Sequence, residues 1–595
     1  MKGFRHGISF FKKTHYEEIN PLKEDELDFK HYHTYDEIVY FLKKWAEEYP
    51  DLIDLYSGGK SYEDRNICQV TLTNKKILKD TDKPAMFIDA NRHSGEVTSA
   101  ESALWMLNYM LSNYGRDDEM TALIDSKTFY FRIKNNPDGS ELYLQTAQSN
   151  RSSVRPHDTD RDGLIDEDPG EDLDGDGFIR QMRKANPDSG NYILDPRDPL
   201  GKLMKRVNDW EGDWDVYSEG IDNDGDWKFN EDGIGGLDLH RNYPENWRPE
   251  PELDATERSW TQSGAGEFPL SEAETRSIVI FLLTHPNISI VNSMDTSVPM
   301  HLRGPSTSKS EERMYPEDLK LFRYFDSEGQ KITNYPWAGD TYFDYRTRSK
   351  FNPVTGDPNI PIPLFGHGPD FGYWYYGSIW YGDELWNSGT VKDYDDDGIY
   401  DNYDAFCWNE EVLEGKEFKR WEKFEHPQLG MIEIGGFNPK FFLQNPPVKF
   451  LEEWIKKQAM YNIFLAKHLP QIEIISVKVK PAKEKKVYDL EVKFTNTGFL
   501  PTALEQAKLV KIVKQDRVSL EFDKELTRDK KNKKVEIIIP EIQNKDVEMK
   551  WTNNGETKTA HLTVKLNGIE SAECKVHVLS SRGGHKIKEI IIGGN

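Results

Sequence analysis

The chain is short of cysteine. Only Cys68, Cys407 and Cys574 occur in 595 residues, and no two share a C-x-x-C spacing. That excludes a disulfide framework and a cysteine-ligated zinc centre. Long apolar runs are missing too: no stretch of about 18 apolar residues exists, so no transmembrane segment is predicted. Positive charge is in deficit. Lysine and arginine number 77 against 103 aspartate and glutamate, a formal net charge of −26. Such a balance excludes nucleic acid and anionic membrane as main partners and favours bound cations. The opening MKGFRHGISFFKKTHYEE is basic but holds no apolar core of signal-peptide length, so no signal peptide is read in this chain.

Apolar and aromatic material is plentiful, at 36% and 12%, so large cores are expected rather than disorder. The length predicts two to four domains. HTYDEIVYFLKKWAEEYP reads as a helix opened by a Thr34–Glu37 capping box, with Ile38, Phe41, Leu42 and Trp45 at helical spacing. EVTSAESALWMLNYMLSNYG sets Val97, Ala100, Leu104, Leu107 and Leu111 on one stripe. LSEAETRSIVIFLLTHP is a third helix, opened by Ser271 and Glu274. Between these lie the strand-like runs NICQVTLTN, PAMFIDA, TFYFRIK and NISIVNS. Strands alternating with helices predict an α/β domain, a mixed, mostly parallel sheet flanked by helices. From residue 470 to 595 the texture becomes short alternating strands with turn residues between them, the pattern of an all-β sandwich. Residues 1–30 stand apart as an N-terminal extension.

An insertion at about 156–235 is rich in Asp and Gly. It offers Asp158, Asp160 and Asp162, then Asp172, Asp174 and Asp176, then Asp222, Asp224 and Asp226. A fourth cluster downstream offers Asp393, Asp395 and Asp397. Alternating carboxylates closed by Gly converge on a hard cation, and calcium in a structural role is the expectation. No cluster has the twelfth-position Glu of an EF-hand.

The stretch NRHSGE (91–96) follows a strand and so lies at the edge where α/β folds bind ligands. Alone, a His and a Glu three apart are common. NNPDG (135–139), GGLDLHRNYPENW after the insertion, and GKSYEDR near the start add context. Together these resemble the M14 (carboxypeptidase A-like) zinc metallocarboxypeptidases over residues 31–465, most of all the bacterial branch with Asp-rich insertions and a C-terminal sandwich.

The resemblance implies a peptide substrate cut at its C-terminal bond by water activated on one catalytic zinc ion, and a secreted or periplasmic setting. His93 and Glu96 match two zinc ligands. Asp238 matches the carboxylate that fixes the ligand histidine's tautomer. Arg241 matches the arginine that clamps the substrate carboxylate, with His240 where the family has Asn. Arg155 is the first match for the arginine that polarises the scissile carbonyl, and Arg151 the second. Glu384, in YGDELW, matches the general base, with Glu433 in MIEIGGF as the alternative. The residue at the base of the specificity pocket falls near Pro369 or Asp370.

One position departs sharply. The third ligand, a histidine in the family, is Asp295 here. His301 lies six residues on, about 20 Å away if the chain stays extended. Zinc accepts a carboxylate oxygen, but two carboxylates and one histidine make a more negative site. The alternative function is therefore an impaired relative that binds peptide or glycopeptide without cutting it.

Overall fold

The computed structural model describes residues 27–159, 162–248, 264–352, 354–527, 534–538 and 546–594. The expected extension and Asp160 lie largely or wholly outside these residues. No helix among the described residues is long and apolar enough to cross a membrane.

The first four strands are β1 (Ile53–Lys60), β2 (Asn66–Leu72), β3 (Ala85–Ala90) and β4 (Thr128–Arg132). The insertion contributes β5 (Gln181–Gly190), β6 (Tyr192–Leu194), β7 (Met204–Arg206) and β8 (Gly212–Ser218). Then come β9 (Ile288–Met294), β10 (Met300–Arg303), β11 (Trp337–Asp340) and β12 (Ile379–Tyr381), followed by β13 (Phe418–His426) and β14 (Gly430–Phe437).

An eight-stranded sheet in the order β1-β2-β4-β3-β9-β12-β10-β11 forms the centre. The run β4-β3-β9-β12 is parallel throughout. Parallel strands need both faces covered, which is why β3 and β9 are buried along their whole length. The expected helices supply the cover. Tyr35–Glu48 opens with the Thr34–Glu37 capping box and buries Ile38, Phe41, Leu42 and Trp45. Thr98–Asn113 buries Ala100, Leu104, Leu107 and Leu111 against the sheet. Truncating one such leucine to Ala costs about 2–5 kcal/mol. The third helix starts at Ala273 and has no side-chain cap. Ser271 is occupied elsewhere, its hydroxyl donating to Glu272 Oε1 at 2.8 Å.

The Asp-rich insertion contributes strands as well as acidic loops: they join β13 and β14 in a six-stranded sheet, order β13-β14-β5-β8-β6-β7. Part of its apolar packing comes from elsewhere in the chain, since Ile432 and Ile434 of β14 pack on Met182 of β5.

The C-terminal part holds β15 (Ile472–Pro481), β16 (Val487–Asn496), β17 (Arg517–Glu521), β18 (Val535–Ile538), β19 (Asp546–Glu548), β20 (Thr557–Leu566), β21 (Ser571–Ser580) and β22 (Gly584–Gly593). They form two antiparallel sheets, β15-β16-β20-β18 and β19-β17-β21-β22. Val492, Phe494, Leu562, Val576 and Val578 fill the space between. This sandwich is tied to the front domain by buried polar bonds. Asp318 accepts from the amides of Glu505 (2.8 Å) and Gln506 (3.0 Å), and Arg582 donates to the carbonyls of Tyr376 and Gly377.

Candidate metal centre

Parallel β3, β9 and β12 end at one edge of the central sheet. The first runs into Asn91–Glu96, the second into Asp295, the third into Asp383–Glu384. Asn91 takes a left-handed φ of 53°, which Asn tolerates better than most residues. Its amide then donates to the carbonyls of His93 (2.9 Å) and Ser94 (3.0 Å), holding the turn closed. Gly95 is required by a close approach: a Cβ there lies 2.6 Å from the Asn150 carbonyl oxygen. That approach brings Arg151 against Glu96.

His93 is buried at the centre. Its Nδ1 lies 3.0 Å from Glu96 Oε2 and 3.5 Å from Asp295 Oδ2. Its Nε2 lies 3.2 Å from Asp238 Oδ1. Asp238 also accepts from Arg151 Nε at 3.1 Å and from the His240 amide at 2.7 Å. Burial alone raises this carboxyl, but Arg241, Arg151 and His93 around it hold it well below the usual carboxylate range. Burial and Arg151 pull the His93 imidazole down, yet Asp295, Glu96 and Asp238 carry it up to about 9. Arg151 closes the ring, its Nη1 donating to Glu96 Oε1 at 3.2 Å.

Glu384 sits directly beside Asp295 in a parallel bridge. The Asp295 amide donates to the Asp383 carbonyl at 2.8 Å, and the Leu385 amide to the Asp295 carbonyl at 3.0 Å. Burial, then Glu96 and Asp295, push the Glu384 carboxyl well above its ordinary value. Asp383 next to it accepts from Gln458 (2.6 Å) and Asn292 (2.7 Å), with His301 Nδ1 3.1 Å from its other oxygen.

Two residues stand at this centre that sequence reading did not place there. Arg92 is buried, with Nη2 2.8 Å from Asp295 Oδ2 and Nη1 3.3 Å from Asp89 Oδ2. Its only sequence signal is its place beside His93. His240 was expected on the substrate carboxylate. Its Nδ1 instead lies 3.6 Å from Asp295 Oδ2, its ring centroid 5.4 Å from that of His93. His93, His240 and Asp295 each offer a ligand atom within 4.8 Å of the others, all buried.

Other expectations are corrected by placement. Arg155, the first choice for the carbonyl, ion-pairs with Glu272 and Glu267 at 3.0 Å each. Arg151 is the arginine that lies at the centre, in an irregular segment whose Asn150 carbonyl approaches Gly95. Glu433 lies in β14 of the second sheet, paired with Arg183 Nε at 2.8 Å. His301 does not fold back to the centre, since it bonds Thr333 Oγ1 at 2.9 Å and packs on Tyr335 and Tyr461. Arg241 is buried beside Asp238, and burial lowers its guanidinium to about 10. Asp370 is buried too, both its oxygens facing the Ser306 amide at 3.1 and 3.2 Å.

The donor set fits a metal of zinc's type: imidazole nitrogen and carboxylate oxygen, buried together. Burial first, and then Glu96 and Asp295, raise the Glu384 carboxyl, and a divalent cation would relieve the carboxylate repulsion. Beside Arg151 opens a cleft of about 480 Å³, walled by Gly233–Gly236 of the insertion and by Asn150, Arg180 and Asn230.

The acidic clusters are partly drawn together. Asp222, Asp224 and Asp226 converge, as do Asp172 and Asp174 with Glu219, Asp162 and Asp224 with Glu167, and Asp393 and Asp395 with Asp404. Glu167, Glu219 and Asp404 lie outside the repeats and carried no sequence signal. Asp172 accepts from the amides of Gly175, Asp176 and Gly177 at 2.8–3.1 Å, closing its loop. Asp158 and Asp397 close theirs on Gly163 and Ile399. Lys419 Nζ lies 2.6 Å from Asp174 and 3.2 Å from Asp176, so this loop already faces a cation of the chain itself.

A family model described as zinc carboxypeptidase matches residues 38–359, and one for a domain of unknown function (DUF8731) matches 471–591. Carboxypeptidase A1 of Rattus norvegicus is 31% identical over 173 residues, 29% of this chain and 39% of that protein. Carboxypeptidase D of Anas platyrhynchos is 33% identical over 115 residues, 19% of this chain and 8% of that protein. The chain thus spans well under half the length of these curated relatives. Among solved structures, thrombin-activatable fibrinolysis inhibitor superposes with a TM-score of 0.43 at 16% identity, covering 74% of this chain and 75% of that one. Carboxypeptidase A of Helicoverpa armigera gives 0.38 at 14%, covering 61% and 68%.

Proposed function

The chain belongs to the zinc carboxypeptidase family, and on that premise we propose that it is a metal-dependent carboxypeptidase that removes C-terminal residues from peptides. The observation that supports this most is the two-sided use of His93: Nδ1 faces Glu96 and Asp295, while Nε2 is held by Asp238. That arrangement fixes the tautomer that leaves Nδ1 free to bind a metal. His93, Glu96 and Asp295 would hold zinc. When bound, zinc supplies Lewis acidity toward the scissile carbonyl and toward water.

The rest falls to the chain. Arg241 binds the terminal carboxylate as a planar fork, which selects chain ends over internal bonds. Arg151, with its side chain 32% exposed toward the cleft, donates to the oxygen that gains charge as the carbonyl is attacked. Glu384 takes the proton of the attacking water and hands it to the leaving amine. Its raised affinity for a proton suits the second half of that task. The acidic loops would hold calcium, with Asp222–Asp226 the best candidate because its three carboxylates converge.

A second reading is a relative that binds peptide or glycopeptide without cutting it. It is favoured by one observation: Arg92 already places a positive charge on Asp295. The two separate in one experiment. Zinc-reconstituted protein is incubated with peptides bearing a free or an amidated C-terminus. Stepwise loss of residues from the free form alone is expected. Binding of the free form with no cleavage, at stoichiometric zinc, would overturn the enzymatic reading.

A further inference from the structure

Asp295 in place of histidine has two chemical consequences. The centre loses one imidazole, and it gains one negative charge. The fold answers both. His240 brings an imidazole back, its Nδ1 3.6 Å from Asp295 Oδ2. Arg92 brings a positive charge back, its Nη2 2.8 Å from that same oxygen. Glu96, Asp295 and Arg92 together sum to the charge of one glutamate, although Arg92 also faces Asp89 Oδ2 at 3.3 Å and divides its charge between the two aspartates.

The distances suit a shared ion. Donors bound to one zinc at tetrahedral angles stand about 3.3–3.6 Å apart, given bond lengths near 2.0–2.2 Å. The separations here are 3.5 Å for His93–Asp295 and 3.6 Å for His240–Asp295, and these three residues form the mutually close set; Glu96 meets His93 at 3.0 Å at its margin and would turn toward a bound ion. His240 is also held in place. Its amide donates to Asp238 Oδ1 at 2.7 Å, the oxygen that faces His93 Nε2, so one carboxylate positions both imidazoles. On its other side its ring packs at 4.3 Å on His367, itself pinned by Ser306 Oγ at 2.7 Å. The Nε2 of His240 has no hydrogen-bond partner among the described residues, so no bond at that nitrogen turns Nδ1 away from Asp295.

We propose that His240 is a metal ligand, joining His93, Glu96 and Asp295 in a centre of two imidazoles and two carboxylates, with Arg92 offsetting the added carboxylate. Zinc accommodates a fifth ligand, so water keeps its place. The assignment rests on the reading of this cluster as the zinc site and extends it to a residue that the family pattern gives to the substrate.

The full chain, stripped of metal, is loaded with one equivalent of Cu²⁺, and coordinated imidazoles are counted by pulsed electron paramagnetic resonance. Zinc affinity is measured in parallel by competition with a chelating dye. Two imidazoles are expected in the wild type and one in His240→Asn, with zinc affinity at least tenfold weaker. The double variant His240→Asn/Asp295→His should return to two and recover the affinity, which also shows that the first substitution did not unfold the site. One imidazole in the wild type, or an unchanged count and affinity in His240→Asn, overturns this assignment and leaves the zinc-site reading standing. No binding of copper or zinc by the wild type overturns both.

Discussion

Arg92 and Asp295, 203 positions apart in the sequence, meet at 2.8 Å with both side chains shut off from water. Breaking a buried pair by removing one partner leaves the other charge unsolvated and costs about 3–5 kcal/mol. In metal-free protein, Arg92→Met should therefore lower unfolding free energy by about that amount, read from chemical denaturation. Asp295→Asn in the same background should recover part of the loss, because it removes the stranded charge. Strictly additive losses would show that the pair is not coupled.

Glu384 and Glu433 both sit in strand-like runs of the sequence, and the sheets separate them. Glu384 lies beside Asp295, while Glu433 pairs with Arg183 in the other sheet. Glu384→Gln is expected to lower kcat by about 10²–10⁴-fold with zinc still bound, and Glu433→Gln to leave it within about twofold. The reverse pattern in steady-state rates would reassign the base.

What the sequence let one read, and what it hid, follows physical lines. The helices and parallel strands were legible because Leu104, Leu107 and Leu111 recur at helical spacing and PAMFIDA is apolar throughout. The turn at NRHSGE was legible because it follows such a strand. Arg92 and His240 were not, since their roles are fixed by Asp295, which reaches them only through the pairing of β3 with β9. Arg151 and Arg155, four residues apart in a loop, carry no periodicity that tells which of them reaches the centre. The close approach of Gly95 to the Asn150 carbonyl is a contact of the folded chain, and it leaves the neighbouring Arg151 against Glu96.

That placement has a kinetic consequence. Arg151 touches Glu96 and Asp238, whereas Arg155 is engaged with Glu267 and Glu272. Arg151→Ala should lower kcat by about 10²–10³-fold, the scale of losing one oxyanion donor. Arg155→Ala should stay near wild type. Equal losses in both would mean that the arginine acts through the fold rather than on the substrate.

The acidic loops predict a separate metal dependence. Asp222, Asp224 and Asp226 converge without a lysine between all three, although Lys228 pairs with Asp226. Chelator treatment should lower the melting temperature by several degrees, and calcium should restore it where zinc does not. Asp222→Asn should blunt the calcium response and leave peptide hydrolysis intact. A melting curve indifferent to calcium would count against ion binding there.

Asp370 gives a pH dependence that one substitution can isolate. Burial, with Glu245 nearby, raises its carboxyl to about 7, although the Ser306 amide works the other way. In the unfolded chain it titrates near 3.9. Below that value both states are protonated and stability does not change with pH on its account. Between about 4 and 7 the unfolded state loses the proton and the folded state keeps it, so stability falls as pH rises, by at most about 1.4 kcal/mol per unit. Above about 7 both are ionised and the slope vanishes. Asp370→Asn, which keeps an acceptor for Ser306, should abolish that slope: little change from wild type near pH 4, and greater stability at pH 8. Denaturation midpoints across this range read it directly, and parallel curves for the two proteins would exclude Asp370 as the titrating group. The same charge bears on substrate choice. If Asp370 lies at the base of the specificity pocket, kcat/KM for a C-terminal lysine relative to leucine should rise as pH passes 7, because only then does the pocket carry the negative charge that an ammonium group needs. In Asp370→Asn the ratio should stay flat with pH, whichever residue is preferred.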